Sequence, residues 1–139
     1  EKIARMKPRS LEHLRRYFAV IRAAYMHWPE HHERQFSSET ECRIWLQMKA
    51  GAREIGADVP LTGIKKEHAL MLAEIAIRGS GANAQPVVHA GRLIVWRPVS
   101  ISFASMKQDD FTALSNAVED IIAAELGVSA DELLRQEAA

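Results

Sequence analysis

Three histidines that lie close together in the sequence are the best candidates for metal chemistry. His27, His31 and His32 have glutamates beside them, and imidazole nitrogens and carboxylates are the ligands that zinc and nuclease metals take. Their spacing matches no zinc motif, and Pro29 ends the helix that would align them on one face. We therefore expect a solvated polar loop with no metal, and a metal nuclease built on these histidines stays as an alternative.

Other side chains with catalytic potential lack the partners that catalysis requires. Cys42 is the single cysteine, and nothing marks a base that would form its thiolate, so we expect a buried structural side chain. The glycine-rich segment 79–81 lacks the strand and the lysine of a phosphate-binding loop. The acidic pairs 109–110 and 131–132 fall in first helical turns, where the helix dipole accounts for them. The sequence therefore predicts a protein without enzymatic activity and without a cofactor.

The charges are segregated along the chain, although 18 basic and 18 acidic residues cancel. Residues 1–22 carry seven basic and two acidic side chains, whereas residues 107–139 carry two basic and eight acidic ones. The basic end suits an anionic partner, which the acidic end would repel. The alternative is that the two ends attract each other, within one molecule or across a dimer.

Basic residues mixed with aromatic ones favour single-stranded nucleic acid. Cations follow the phosphates of a single strand, and aromatic rings stack on its bases. Alternation along the predicted hairpin places Trp96 on the side of Arg92, so we expect Trp96 to stack, with a core position as the alternative. Trp28 and Trp45 are expected in the core. The residues predicted to contact phosphates are Lys7, Arg9, Arg15, Arg22, Arg92 and Arg97.

Length and composition place these residues on an ordinary globular chain. The 139 residues suit a single domain, 1–139, with 47% hydrophobic and 26% charged residues. No stretch is apolar for the length of a membrane span, and no signal peptide opens the chain. One cysteine suits a reducing compartment, so we expect a cytoplasmic protein that contacts no membrane.

Apolar spacings of three and four predict helices at both ends of the chain and in its middle. The first helix follows Ser10 and ends before Pro29, and six apolar residues form its predicted core stripe: Leu11, Leu14, Phe18, Ile21, Tyr25 and Trp28. Further helices are predicted over 39–53, over 64–78, from a capping box at Ser105 to Gly127, and after Ser129. The 64–78 helix is apolar nearly all round, which predicts that it is buried or lies in an interface. We expect a homodimer in which this helix forms the contact.

A change to period two predicts a small sheet between the third and fourth helices. Residues 87–89 and 92–97 form a hairpin around Ala90-Gly91, and alternation resumes at Val99, Ile101 and Phe103. Residues 54–63 are predicted to be a loop, and residues 79–86 a flexible one. The predicted fold class is α+β, with about five helices and a small antiparallel sheet.

Two short segments resemble phage proteins. Arg9-Ser10-Leu11, the aromatic-Ala pair Phe18-Ala19 and Trp28 resemble the opening of the phage lambda Orf (NinB) recombination family, and Trp45 matches a later tryptophan. The segment 98–106, before an acidic helix that bears Phe111, resembles a prophage family of unknown function. This second resemblance covers about 7–28 and 98–122. The chain departs from the lambda-type family across 54–97 and has Glu12-His13 where that family has Gln-Asn.

The lambda-type resemblance implies a homodimeric α+β protein that binds single-stranded DNA and the host single-strand-binding protein and helps to load recombinase. The leading hypothesis is therefore a non-catalytic phage accessory protein of DNA recombination or replication. A different class stays open: an adaptor or inhibitor of a host factor with no nucleic-acid contact. It would use the apolar helix over 64–78 or the acidic end over 107–139.

Overall fold

A computed structural model describes residues 8–81, 83–102 and 106–138, with side chains from residue 11 onward. Within these residues the chain forms five helices and one three-stranded antiparallel sheet, which confirms the predicted α+β class. Contacts divide the chain into two compact units, one of residues 1–50 with 100–139 and one of residues 51–99. None of the helices in the described ranges has the length and apolarity to cross a membrane.

The elements alternate helices with strands in the middle of the chain. In chain order they are α1 (Pro8–Met26), α2 (Glu39–Lys49), β1 (Arg53–Pro60), α3 (Lys66–Ser80), β2 (Gln85–His89), β3 (Arg92–Pro98), α4 (Gln108–Leu126) and α5 (Ala130–Ala138).

The first unit is a helical assembly in which α1 contacts α2, α4 and α5. Its core contains fully buried side chains from each of these helices, among them Ile21, Leu46, Ile122 and Leu133. Burial of one such side chain contributes about 1.5–3 kcal/mol. The packing of α1 on three partners therefore fixes which of its side chains remain available to a ligand.

The buried stripe of α1 differs from the predicted one. Leu11 and Phe18 are each 38% exposed, whereas Tyr17, Val20 and Ala24 are buried. The prediction took large apolar residues at spacings of three and four. Contact with three helices instead buries a broad arc that includes small alanines, because a small side chain lets two helices approach closely. The helix also begins at Pro8 rather than after Ser10, since proline fits a first helical turn.

The predicted caps of the first unit are largely confirmed. The Ser38 hydroxyl accepts a hydrogen bond from the Glu41 N–H at 3.1 Å, and the Ser129 hydroxyl accepts one from the Glu132 N–H at 3.1 Å. Gly127 ends α4 with a φ of 76°. Two boundaries differ. The second helix ends at Lys49 rather than near residue 53, because Gly51 follows with a φ of 97°. The fourth helix begins at Gln108, with Lys107 at its N-cap, rather than after a capping box at Ser105, a residue that itself lies outside the described ranges.

The second unit is a sheet with strand order β1-β3-β2 and one helix, α3. The predicted hairpin is confirmed: β2 and β3 pair antiparallel from Gln85 opposite Trp96 to His89 opposite Arg92. Ala90 and Gly91 form the turn with φ values of 52° and 74°. Positive φ at both central positions is the requirement of a type I′ turn, which matches the twist of the strands.

Three predictions between residues 54 and 102 are wrong. The predicted loop 54–63 contains the edge strand β1, because Gly56 lies at an irregularity in its register and Pro60 at its end, where a sheet tolerates both residues. Gly79 and Ser80 belong to α3, which Gly81 ends. Residues 99–102 form no strand, and the predicted strand residue Phe103 lies outside the described ranges.

Candidate nucleic-acid interface

Two of the predicted phosphate contacts lie on the solvent side of α1. Arg15 and Arg22 are both exposed, and seven residues separate them, which corresponds to two helical turns on one face, about 10 Å along the axis. Within the part of the chain that the structure describes, neither side chain makes an ion pair. Arg9 lies in the first turn of α1 but its side chain is outside the described set, and Lys7 lies outside it altogether.

An aromatic ring and a third arginine adjoin these two cations. Phe18 stands three residues after Arg15 and four before Arg22, the spacings of neighbours on a helix surface. The guanidinium carbon of Arg43, from α2, lies 5.9 Å from the centroid of the Phe18 ring. We call Arg15, Phe18, Arg22 and Arg43 the α1 basic face. It combines cations for phosphates with a partly exposed ring for a base.

Arg16, the immediate neighbour of Arg15, has a different environment. Its Nε donates to Glu119 at 3.0 Å, and its Nη2 donates to Asp131 at 2.9 Å. The hydrogen bond to Glu119, followed by the one to Asp131, raises the pKa of Arg16. The alternative that the basic and acidic ends attract each other within one molecule is therefore confirmed for this residue. Arg16 is neutralised where it stands.

Most of the acidic end is likewise engaged by basic side chains. Glu125 accepts hydrogen bonds from Lys49 at 2.8 Å and from His32 at 2.6 Å. These bonds, that of Lys49 first, lower the pKa of Glu125. Further along, Glu132 pairs with Arg135 and Glu137 with His27. The acidic end thus contributes to the stability of the first unit more than to a free anionic surface.

The histidine cluster divides between separate carboxylates. His27 lies 3.2 Å from Glu137, His32 bonds Glu125, and His31 is exposed. Across residues 8–81, 83–102 and 106–138 the structure brings no three metal-ligating side chains together. His32 accepts the Arg34 N–H on Nδ1 at 2.9 Å, so Nε2 carries the proton donated to the carboxylate. This geometry suits a structural role in the loop after α1.

Trp28 and Trp45 form a half-buried aromatic cluster instead of lying deep in the core. Their ring centroids are 5.7 Å apart, with Phe36 within 5.5 Å of both. The indole N–H of Trp28 donates to the Arg34 carbonyl at 2.8 Å. Both were predicted in the core and are only half-buried, and they connect the loop 29–37 to α2.

Trp96 lies half-buried on one face of the sheet in the second unit. The register confirms that Arg92, Ile94 and Trp96 share this face. The guanidinium carbon of Arg53 lies 4.3 Å from the centroid of the Trp96 ring, a cation–π contact. One face of the indole is therefore covered by the Arg53 guanidinium. A ring that can stack on a base and a cation that can bind a phosphate lie side by side here.

The two predicted arginines of β3 each have an acidic partner on the neighbouring strand. Arg92 donates from Nε to Asp58 at 2.7 Å, and Arg97 donates from Nη2 to Glu54 at 3.2 Å. Alternation along the strand puts Arg97 on the opposite face from Arg92, so they form no single patch with Trp96. Exposed ion pairs of this kind contribute only about 0–1 kcal/mol to stability. A phosphate can therefore replace the carboxylate as the partner of either arginine.

Three residues of these surfaces were not predicted from the sequence: Phe18, Arg43 and Arg53. The apolar stripe had assigned Phe18 to the core, and the predicted second helix had included Arg53. Arg43 reaches α1 only through the contact of α2 with α1, which no local pattern contains. The buried alanines of α1 are the signal that could have found Phe18, because a core stripe that includes them leaves Phe18 at the surface.

Cys42 is confirmed as a buried side chain with no exposed area. Burial first, and then the charge of Glu39, raises the pKa of its thiol to about 12. A thiol in this state forms almost no thiolate at neutral pH, so its chemistry is that of a small apolar residue.

Comparison with protein-family models, with curated proteins and with solved structures finds no match to this chain. The resemblance to the two phage families therefore stays a prediction from the short segments that carry it.

Proposed function

We propose that this protein is a non-catalytic, cytoplasmic accessory protein of phage DNA recombination or replication that binds single-stranded DNA. The observation that carries the DNA-binding proposal is the α1 basic face. The phage context rests on the resemblance of segments 7–28 and 98–122, and the host single-strand-binding protein and recombinase are proposed partners on the same ground.

The α1 basic face has the composition that single strands require. Arg15 and Arg22 lie two turns apart with no carboxylate neutralising them among the described residues, so each can take a phosphate. Phe18 lies between them with its ring partly exposed, and a base can stack there whatever its identity. Arg43 already contacts this ring, which adds a cation at the stacking position.

The sheet face that carries Trp96 supplies a second candidate contact in the other unit. Arg53 stacks on the indole, and Arg92 lies on the same face with only an exposed partner, Asp58. We rank this surface second because its cations are partly neutralised before any ligand arrives.

Fluorescence anisotropy with a labelled single-stranded oligonucleotide tests the proposal, with a duplex of the same sequence as control. Each neutralised phosphate of a single strand contributes a log–log salt slope of about −0.7. We expect a slope of about −2 to −4 and tighter binding to the single strand than to the duplex. Absence of binding at low salt would contradict the proposal.

A second candidate function is that of a protein-binding adaptor or inhibitor without nucleic-acid contact. The observation that favours it is the solvent side of α3, where Met71, Leu72 and Ile75 are exposed. Recovery of one host protein from lysate after nuclease treatment, together with no oligonucleotide binding, would favour this candidate. Loss of all partners on nuclease treatment would exclude it.

A further inference from the structure

The helix α3 exposes an apolar stripe that its own unit leaves uncovered. Met71, Leu72 and Ile75 are 52%, 56% and 60% exposed, and they occupy positions i, i+1 and i+4 on one side of the helix. The opposite side contains Ala69, the buried residue of α3, and α3 contacts β2. Large apolar side chains grouped in this way mark an interaction surface.

Two opposite charges border this stripe at its two ends, and Glu74 is exposed on the same edge between them. Glu67 precedes Met71 by four residues, and Arg78 follows Ile75 by three. Eleven residues, or three turns, separate Glu67 from Arg78, so they lie on the same side of α3, about 16 Å apart along the axis. In the described part of the chain neither residue makes an ion pair.

We propose that the exposed side of α3 binds the same side of α3 in a second copy of this chain, with the two helices antiparallel. The midpoint between Glu67 and Arg78 falls between Leu72 and Ala73, within the apolar stripe. A two-fold axis through that point places Glu67 of each copy opposite Arg78 of the other, so the symmetric contact forms twice.

Glu67 and Arg78 favour the antiparallel direction, although the two-fold axis also brings Glu74 of one copy near Glu74 of the other. A parallel pair would oppose Glu67 to Glu67 and Arg78 to Arg78, and like charges across an interface are unfavourable. The contact between two copies can be no longer than α3 itself, about 22 Å for 15 residues. An interface of this size belongs to the small class, so the dimer dissociates on dilution.

Glu67 and Arg78 also suit the dipole of α3 itself, since an acid stands in its first turn and a base in its last. If the two residues acted only on the dipole of their own helix, substituting them would leave the sedimenting mass of the protein unchanged. The test therefore measures association directly, and it uses two variants that can restore each other's contacts.

Sedimentation velocity over a concentration series, without nucleic acid, measures the association. We expect wild-type protein to approach twice the mass of one chain as concentration rises. Glu67→Arg or Arg78→Glu alone creates two like-charge contacts per dimer, and we expect each to raise the dimer Kd about tenfold. An equimolar mixture of the two variants restores both opposite-charge contacts in a heterodimer, so dimer should return. Circular dichroism and thermal melts establish that each variant is folded.

Several results would overturn the inference. Wild-type protein that stays monomeric at high concentration would do so, and a dimer unaffected by Ile75→Asp would place the contact elsewhere. Two monomeric charge variants that do not associate on mixing would exclude the antiparallel arrangement. Because no nucleic acid is present, these outcomes are independent of DNA binding and of the proposed function.

Discussion

The two arginines at positions 15 and 16 are neighbours in the sequence but differ in their exposure and in their ion-pair partners. Arg16 donates to Glu119 and Asp131 and ties α1 to the acidic end of the chain. Arg15 projects to solvent beside Phe18, on the same face as Arg22. A count of charges treats these residues alike, whereas the packing of α1 separates a stabilising side from one available to an anion.

Both arginines of β3 are neutralised, and the geometry of the strands explains why. In the sheet, Glu54 stands directly across from Arg97, and Asp58 lies diagonally from Arg92, so cross-strand pairing supplies each cation with a carboxylate. Arg22 has no acid three or four residues away on α1. Both arginines of β3 are therefore neutralised across the strands, whereas Arg22 on α1 has no acidic partner among the described residues.

Removal of both cations from the α1 basic face should have the largest effect on binding. At 0.1 M salt, a phosphate contact with a slope of about 0.7 is worth roughly fivefold in affinity, so Arg15→Gln combined with Arg22→Gln should weaken single-strand binding roughly 25-fold. The control, Lys65→Gln with Lys66→Gln, removes the same charge from the second unit. Equal losses of affinity in the two double variants would show that binding depends only on net charge. That result would contradict a specific role of the α1 basic face.

Loss of the aromatic ring should have the next largest effect. Phe18→Ala removes a partly exposed stacking position, for which the low end of the range, about 1 kcal/mol, corresponds to roughly fivefold weaker binding. Leu11→Ala is the matched control, because Leu11 has the same 38% exposure on α1. The same anisotropy titration measures both variants. Equal small losses would assign Phe18 a packing role only.

Arg16→Gln should affect stability and leave binding unchanged. The substitution removes the ion pairs to Glu119 and Asp131, which are partly exposed, so we expect a loss of about 1 kcal/mol in the free energy of unfolding. Urea denaturation measures this loss. A variant with wild-type stability and weakened DNA binding would reverse the roles assigned to Arg15 and Arg16.

The sequence predicted the parts of the fold that local signals determine. Ser38, Ser129 and Gly127 mark helix ends, and Ala90-Gly91 forms the hairpin turn, because caps and turns depend on residues within a few positions. The strand β1 was missed, because Gly56 and Pro60 are breakers in isolation and become tolerable only at an edge strand beside β3.

The candidate site was predictable to the same extent. Helical spacing placed Arg15 and Arg22 on one face, and alternation along β3 placed Arg92 with Trp96. The neutralisation of Arg92 and Arg97 depends on a strand that was predicted to be a loop. The contact of Arg43 with Phe18 depends on how α2 packs against α1, which residue spacing along one helix does not contain.

The salt dependence of single-strand binding, measured side by side for the wild-type protein and for the Arg15→Gln, Arg22→Gln variant, tests the central claim most directly. If both arginines neutralise phosphates, the log–log slope of the variant should be smaller in magnitude by about 1.4, while Arg16→Gln keeps the wild-type slope. An unchanged slope in the double variant, or the same decrease in Arg16→Gln, would contradict the assignment of the α1 basic face to DNA.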